Sequence, residues 1–356
     1  MPADKRPSPR PRGTLASLAA DLGVSRTTVS NAYNHPEQLS AATRERILAA
    51  AAARGYPGPD PTARSLRTRR VGAVGVLLTE RLSYAFEDLA SVEFLAGLAE
   101  SSYATKNSLT LVPEGPDLTS TVVDGFVVYS IAADDPHLSA ARSTGLPLVV
   151  CDQPYGVADL PFVGIDDRAA VAPAAQALVD AGHRRVGIIA KRLTRQRHDG
   201  VVDRATVESA DLHVQRSRIL GALDVFAAAG IVDVPVVVRH HNDHVSAVDA
   251  ARELLTGHPD LTAVLCTTDS MAFGVLEFAR SRGLAVPEQL SVTGFDGVEL
   301  AYARGLTTVD QPMRAKGAAA GRMLDELIRH PEDGPRRLLL PTTFVPGATV
   351  AAPATS

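Results

Sequence analysis

From residue 71 onward the chain repeats one device: a short apolar run too brief for a helix core, then a longer stretch with helical spacing. Runs of this kind are Val71–Leu78, Gly125–Tyr129, Leu148–Cys151, Phe162–Ile165, Val186–Ala190, Val234–Val238, Ala263–Thr267 and Ser291–Phe295. A strand followed by a crossover helix and another strand in the same direction buries both sheet faces, so such alternation predicts parallel sheets with helices on either side. Helical stretches carry their own punctuation. Asp167 to Ala181 stops at Gly182, Ser217 to Ala229 stops at Gly230, and Asp269 to Arg282 opens at a capping Asp and stops at Gly283. The length available, out of 356 residues, fits two doubly wound α/β lobes. In open sheets of this type ligands bind beyond the carboxyl ends of the strands, so a cleft between the lobes is the expected pocket.

The first 70 residues are different. They hold 12 Lys/Arg against 5 Asp/Glu, a net of +7, whereas the whole chain has a net of −4 and the remainder therefore −11. A small basic head on an acidic body fits nucleic-acid binding, because phosphate attraction needs positive charge only where contact occurs. Residues 1–12 read as a disordered basic arm. Beyond them Leu15, Leu18, Ala19 and Leu22 fall on one helical face, with Thr14 as N-cap and Gly23 past the end. Ser25 caps a second short helix from about Arg26 to Tyr33, with Val29, Ala32 and Tyr33 inward and Arg26, Thr27, Ser30 and Asn31 outward. A third follows Ser40, carries Ile47, Leu48, Ala51 and Ala52, and ends at Gly55. Two short helices across a Gly-containing turn, closed by a third, make a helix-turn-helix head over residues 13–58.

These residues carry a resemblance. Val24-Ser25 followed by Thr28-Val29-Ser30 and Asn34, with Leu39-Ser40, Thr43-Arg44 and Arg54-Gly-Tyr56, is similar to the DNA-binding head of the lactose-repressor (LacI) family of bacterial transcription regulators. The likeness continues through Asp124-Gly125, Ala181-Gly-His-Arg-Arg-Val-Gly187, Thr268-Asp269-Ser-Met-Ala-Phe-Gly274, Gly294-Phe-Asp296 and Leu306-Thr-Thr-Val-Asp-Gln-Pro312, so it covers nearly the whole chain. The implied fold is a helix-turn-helix head plus a two-lobed core like that of periplasmic binding proteins. By the resemblance, Thr14, Ser25, Arg26, Thr27, Thr28, Ser30, Asn31 and Asn34 contact DNA. Residues 59–70 form a linker and hinge helix in which Ala63, Arg64 and Leu66 reach the minor groove, Leu66 as an apolar wedge. From the residues alone this stretch reads as a solvated basic linker.

The core is expected over residues 71–345, with one lobe near 71–150 and 297–309, the other near 154–294 and 313–345, and a tail at 346–356. Crossings between lobes are expected near Cys151–Pro154, Phe295–Val298 and Thr308–Pro312. The resemblance places an effector pocket at Tyr84, Phe86, Arg218, His244 and Asp269. A guanidinium fork at Arg218 suits vicinal hydroxyls or a carboxylate, and Asp269 serves as ligand acceptor, as helix cap, or as both. Tyr84 and Phe86 read either as pocket or as core. The charged stretch Lys191 to His213 reads as a disordered surface insertion, its alternative being a cover over the cleft.

Other chemistry finds little support. Cys151 and Cys266 sit in apolar runs, poor candidates for a disulfide, and no base is placed beside either. His240, His241 and His244 lack a partner cluster that would complete a metal site, and no phosphate-loop, zinc-protease or nucleophile-elbow pattern occurs. With no apolar stretch of membrane-spanning length, the expectation is a cytoplasmic, non-enzymatic, cofactor-free homodimer, with tetramers open. The expected activity is that of a repressor that binds a pseudo-palindromic operator and answers to a small polar, sugar-like metabolite. The competing reading is a solute-binding or sensory receptor with an incidental basic head.

Overall fold

The computed structural model describes residues 14–56, 58, 70–78, 84–112, 117–118, 120–332 and 334–354. The chain divides into two compact units, Met1–Val71 and Gly72–Ser356. The basic arm expected at 1–12 and the hinge residues Ala63, Arg64 and Leu66 lie outside the described residues.

Among the described residues of the first unit, the α-helices Leu15–Leu22, Arg26–Asn34 and Ala41–Ala53 pack around a small core of Leu18, Ala19, Val29, Ala32, Ile47 and Ala51. Each start is capped as the sequence dictates. Thr14 Oγ1 accepts from Ser17 N at 3.1 Å while Ser17 Oγ accepts from Thr14 N at 2.9 Å, a reciprocal cap. Ser25 Oγ accepts from Thr28 N at 3.0 Å and Ser40 Oγ from Thr43 N at 3.2 Å. Gly23 takes φ 64°, a left-handed turn that lets the second helix fold back on the first. Arg44 Nε donates to the carbonyl of Ala32 at 3.3 Å and pins the third helix to the second.

The second unit contains two parallel sheets. In spatial order the first runs Arg337–Leu339, Phe162–Gly164, Leu148–Cys151, Gly125–Tyr129, Ala73–Leu78, Ser108–Val112. The second runs Ser291–Thr293, Ala263–Cys266, Val186–Lys191, Val236–Arg239, Gly200–Val202, with only the last strand antiparallel. Each sheet is packed on both faces, which is why its central strands are apolar throughout. Thr308–Asp310 and Thr343–Val345 pair antiparallel as a small third sheet.

The lobe boundaries differ from those expected. Phe162–Gly164 pairs with Leu148–Cys151 in the first sheet, so the chain leaves the first lobe after it rather than near Cys151–Pro154. The helix Glu299–Ala303 and Leu306 pack into the second lobe, with Ala272, Val275 and Val292, although 297–309 was expected in the first. The helix Met313–Arg329 packs instead with Phe94, Leu98 and Val127 in the first lobe. A strand's sheet is chosen by pairing, and chain order carries no record of it. The expected tail is also structure: Val292 N donates to Thr349 O at 2.8 Å and His183 Nε2 meets Ala351 O at 2.9 Å.

The stretch from Lys191 to His213 is ordered, which corrects the expected disordered insertion. Gly200–Val202 joins the sheet edge, and Asp203 caps the short helix Arg204–Glu208 by accepting from Thr206 N at 2.8 Å. Leu193, Val202, Val207, Ala210 and Leu212 are buried in the second lobe. Their spacing supplies an apolar face that the surrounding charge hides from a compositional reading.

Candidate DNA interface and effector cavity

In the head, Arg26 and Thr27 are exposed on the first turn of the helix Arg26–Asn34, while Ser30 and Asn31 are half-buried. A helix N-terminus with free N–H groups favours phosphate, and side chains on its first turns are the ones that reach base edges in a major groove. Asn34 donates to the carbonyl and hydroxyl of Ser30, both at 3.1 Å, and Asn31 Nδ2 donates to Gln38 Oε1 at 2.8 Å. This bond uses one hydrogen of the Asn31 amide and orients the side chain. Gln38 was not singled out from the sequence, because it lies on the short turn Pro36–Gln38 outside the helix.

In the core, a narrow polar cleft, partly open to solvent, lies at the carboxyl ends of strands from both lobes. Tyr129, Asp152, Lys191, Thr268 and Asp296 come from strand ends, Asp88 from a helix start, and Gln215 and Arg218 from the helix His213–Ala228. Ser130, Asn242 and Gln311 complete the polar lining.

Arg218 lines this cavity and is held rigidly. Nε donates to Asp167 Oδ1 at 2.8 Å, Nη1 to the carbonyl of Thr267 at 2.8 Å and to Asp296 Oδ1 at 3.3 Å, and the guanidinium lies 3.7 Å from the centre of the Phe295 ring. Burial pushes the Asp296 carboxyl up to about 7 against the opposing pull of Arg218. Burial likewise raises Asp167, against the opposing pull of Arg218. On the other side Lys316 Nζ donates to Asp152 Oδ1 at 2.7 Å and to Gln311 Oε1 at 2.7 Å, and Gln311 Nε2 donates to Asp296 Oδ1 at 2.5 Å. The two lobes touch directly around the cavity. Asn242 Nδ2 donates to Asp88 Oδ1 at 3.4 Å, Val214 N to Gln153 Oε1 at 3.1 Å, and His213 stacks on Tyr155 with ring centres 4.2 Å apart.

Three expected pocket residues lie elsewhere. Asp269 is fully buried but outside the lining: it accepts from the Thr308 hydroxyl at 2.6 Å and from Val298 N at 3.0 Å, and ties the segments entering and leaving the helix Glu299–Ala303 together. Burial raises its carboxyl to about 6. Nor does it cap its helix, since Thr268 does, accepting from Met271 N at 3.2 Å. His244 has its ring 63% exposed and faces Glu277 at 3.4 Å, because Asp243 caps the helix there and turns the ring outward; Asn242 takes the cavity position. Phe86 is 61% exposed and forms no part of the cavity. Tyr84 falls in the single turn Tyr84–Phe86. Asp152, Lys191 and Asp296 were legible as polar residues ending apolar strands; Asp88, Gln215 and Lys316 had no such signal.

A helix-turn-helix head in one chain with a two-lobed, cleft-bearing α/β core defines a ligand-controlled DNA-binding regulator. Residues 14–57 match the model for bacterial regulatory proteins of the lacI family and residues 175–350 that for a periplasmic binding protein-like domain. The HTH-type transcriptional regulator IpsA of Corynebacterium glutamicum is 53% identical, with 95% of this chain and 98% of that protein aligned. The HTH-type transcriptional regulator Rv3575c of Mycobacterium tuberculosis is 46% identical over 98% of this chain and 99% of its own. Among solved structures, a LacI-family regulator from Corynebacterium glutamicum superposes with TM-score 0.75 at 50% identity, covering 95% of this chain and 99% of that one. The lac repressor dimer shares the fold, with TM-score 0.77 at 22% identity over 96% and 99% of the two chains. The chain belongs to the lacI family of transcription regulators. It binds DNA through its head, is controlled through its core, and is not an enzyme. No helix among the described residues is long and apolar enough to cross a membrane.

Proposed function

We propose that the chain is a cytoplasmic, homodimeric repressor whose operator is pseudo-palindromic and whose effector is a small neutral polyhydroxy compound, a sugar in class. The observation that carries the effector reading is the charge balance of the cavity. Asp88, Asp152 and Asp296, with Asp167 behind them, face Arg218, Lys191 and the buried Lys316. The carboxyls match or outnumber the cations even with Asp296 partly protonated near neutral pH, so an added anion meets no net attraction, while hydroxyls find both donors and acceptors. A regulator similar over 95% of this chain, CelR, at 27% identity and TM-score 0.68, has been solved in complex with cellobiose.

For the DNA side, Arg26, Thr27 and Asn31 read base edges, while Thr14, Ser25, Thr28, Ser30 and Asn34 hold helices and phosphates in register. Ala63, Arg64 and Leu66 contact the minor groove in this reading. Ligand and operator are linked because a compound preferring one lobe arrangement shifts the population competent to bind DNA. The test is operator affinity by fluorescence anisotropy, on DNA selected from a random pool, titrated with neutral saccharides and with their acid and phosphate counterparts. A neutral saccharide should change affinity about fivefold or more. A response confined to the anionic compounds refutes the effector class.

A further inference from the structure

Among the described residues that line the cavity, one fully buried side-chain polar atom, Gln215 Nε2, has no hydrogen-bond partner in the protein. Gln215 is 2% exposed and lines the cavity from the first turn of the helix His213–Ala228. Its Oε1 accepts a 2.5 Å hydrogen bond from the Thr267 hydroxyl, and the Thr267 carbonyl in turn accepts from Arg218 Nη1 at 2.8 Å. One strand end thus orients both side chains. With Oε1 held, the other end of the amide is fixed as well, and Nε2, carrying two hydrogens, has no hydrogen-bond partner. Buried amide groups are satisfied in the great majority of cases, and an exception on a residue that lines a polar cleft marks a place where a bound molecule can complete the bonding.

We infer that Gln215 is the specificity-determining donor of the cavity, its Nε2 bonding one oxygen of the bound compound, so that a compound lacking oxygen at that position is rejected. This rests on the neutral-sugar reading above. The chemistry differs from that of Arg218, whose Nε and Nη1 are already committed to Asp167, Thr267 and Asp296. An amide donor without charge favours a hydroxyl or ring oxygen over a carboxylate, and a site built around a donor discriminates strongly because a mismatched compound leaves it unpaired.

The experiment is a functional-group cycle on the full chain, with binding measured by calorimetry for D-glucose, D-galactose, D-ribose, D-xylose and cellobiose and for their monodeoxy derivatives. For a parent sugar that binds, removal of one hydroxyl should cost the wild type tenfold or more. In Gln215→Met that same deoxy compound and its parent should bind equally, while deletions at the other positions keep their wild-type penalty. A residue with only a structural role would weaken every compound by a common factor, and that outcome, like unchanged binding, overturns the inference while leaving the sugar reading intact. Failure of the wild type to bind any of the panel overturns both. Should Gln215→Met lose operator binding without sugar, Gln215→Glu decides: it keeps the acceptor for Thr267, removes the donor, and must erase the same single-position penalty.

Discussion

Lys316, with no exposed surface, donates to both carboxylate oxygens of Asp152, at 2.7 and 2.9 Å, and joins the helix Met313–Arg329 to the residue that ends the strand Leu148–Cys151. Lys316 lies behind the cavity wall and Asp152 forms part of it, both buried, so solvent does little to screen the pair. Breaking it strands a buried carboxylate. Lys316→Met should destabilise the core by about 3–5 kcal/mol, and adding Asp152→Asn should recover a substantial part of that loss, since the penalty comes from the unpaired charge. Urea denaturation of the three proteins is the measurement. A double variant no more stable than Lys316→Met alone would show that packing, not charge, is what the lysine supplies.

Asp296 and Asp269 make the core's stability depend on pH. Burial pushes their carboxyls to about 7 and about 6 respectively, above the ordinary aspartate value. The folded state therefore retains protons that the unfolded state releases, and the stabilisation is fully present below about pH 4 and lost as pH rises through the folded values. Asp296→Asn removes one of these titrations. Between pH 8 and about pH 5 the wild type should gain thermal stability relative to this variant, other groups being common to both. A melting-temperature difference independent of pH would contradict the assignment.

What the sequence made legible follows from which interactions are local. The eight apolar runs all became strands because burial on two faces imposes a continuous apolar signature, and the helix caps at Thr14, Ser25 and Ser40 are contacts across three residues. Ser108–Val112 and Arg337–Leu339 escaped notice as edge strands, the latter exposed along its length. The site was harder. Arg218 came through the resemblance, but Asp88, Gln215 and Asn242 meet only because three distant segments converge, and His244 was misplaced because the direction of a ring at a helix start depends on the cap beside it.

Gly97 and Gly317 set the contact between the helices Leu89–Thr105 and Met313–Arg329. A Cβ on Gly317 would run into the carbonyl oxygen of Phe94, and one on Gly97 into that of Arg314, so the two backbones touch with no room for a methyl group. Neither obstacle is a flexible side chain. Gly317→Ala should cost about 1–3 kcal/mol or more, despite alanine's better helix propensity of about 1 kcal/mol, because overpacking against backbone cannot be relieved by a rotamer change. The check is a lower urea midpoint at unchanged slope. A midpoint equal to or above that of the wild type would mean that the helices can separate freely.

Arg26 opens the helix Arg26–Asn34 directly after its cap, Ser25, and its side chain is exposed rather than spent on the head's core. From this position a guanidinium can bond a guanine edge at two points, a contact that contributes about 1–3 kcal/mol of discrimination. A phosphate contact would instead weaken operator and random DNA alike and reduce the salt slope by about one counterion. Arg26→Ala should therefore narrow the gap between operator and random sequence by roughly tenfold or more, with little change in random-sequence affinity at matched salt. Asn31→Ala should have a smaller effect, because Asn31 is half-buried and one hydrogen of its amide is already bonded to Gln38. Anisotropy titrations on the selected operator and on scrambled DNA, each at several salt concentrations, separate the cases. Equal losses on both DNAs would reassign Arg26 to the phosphate backbone.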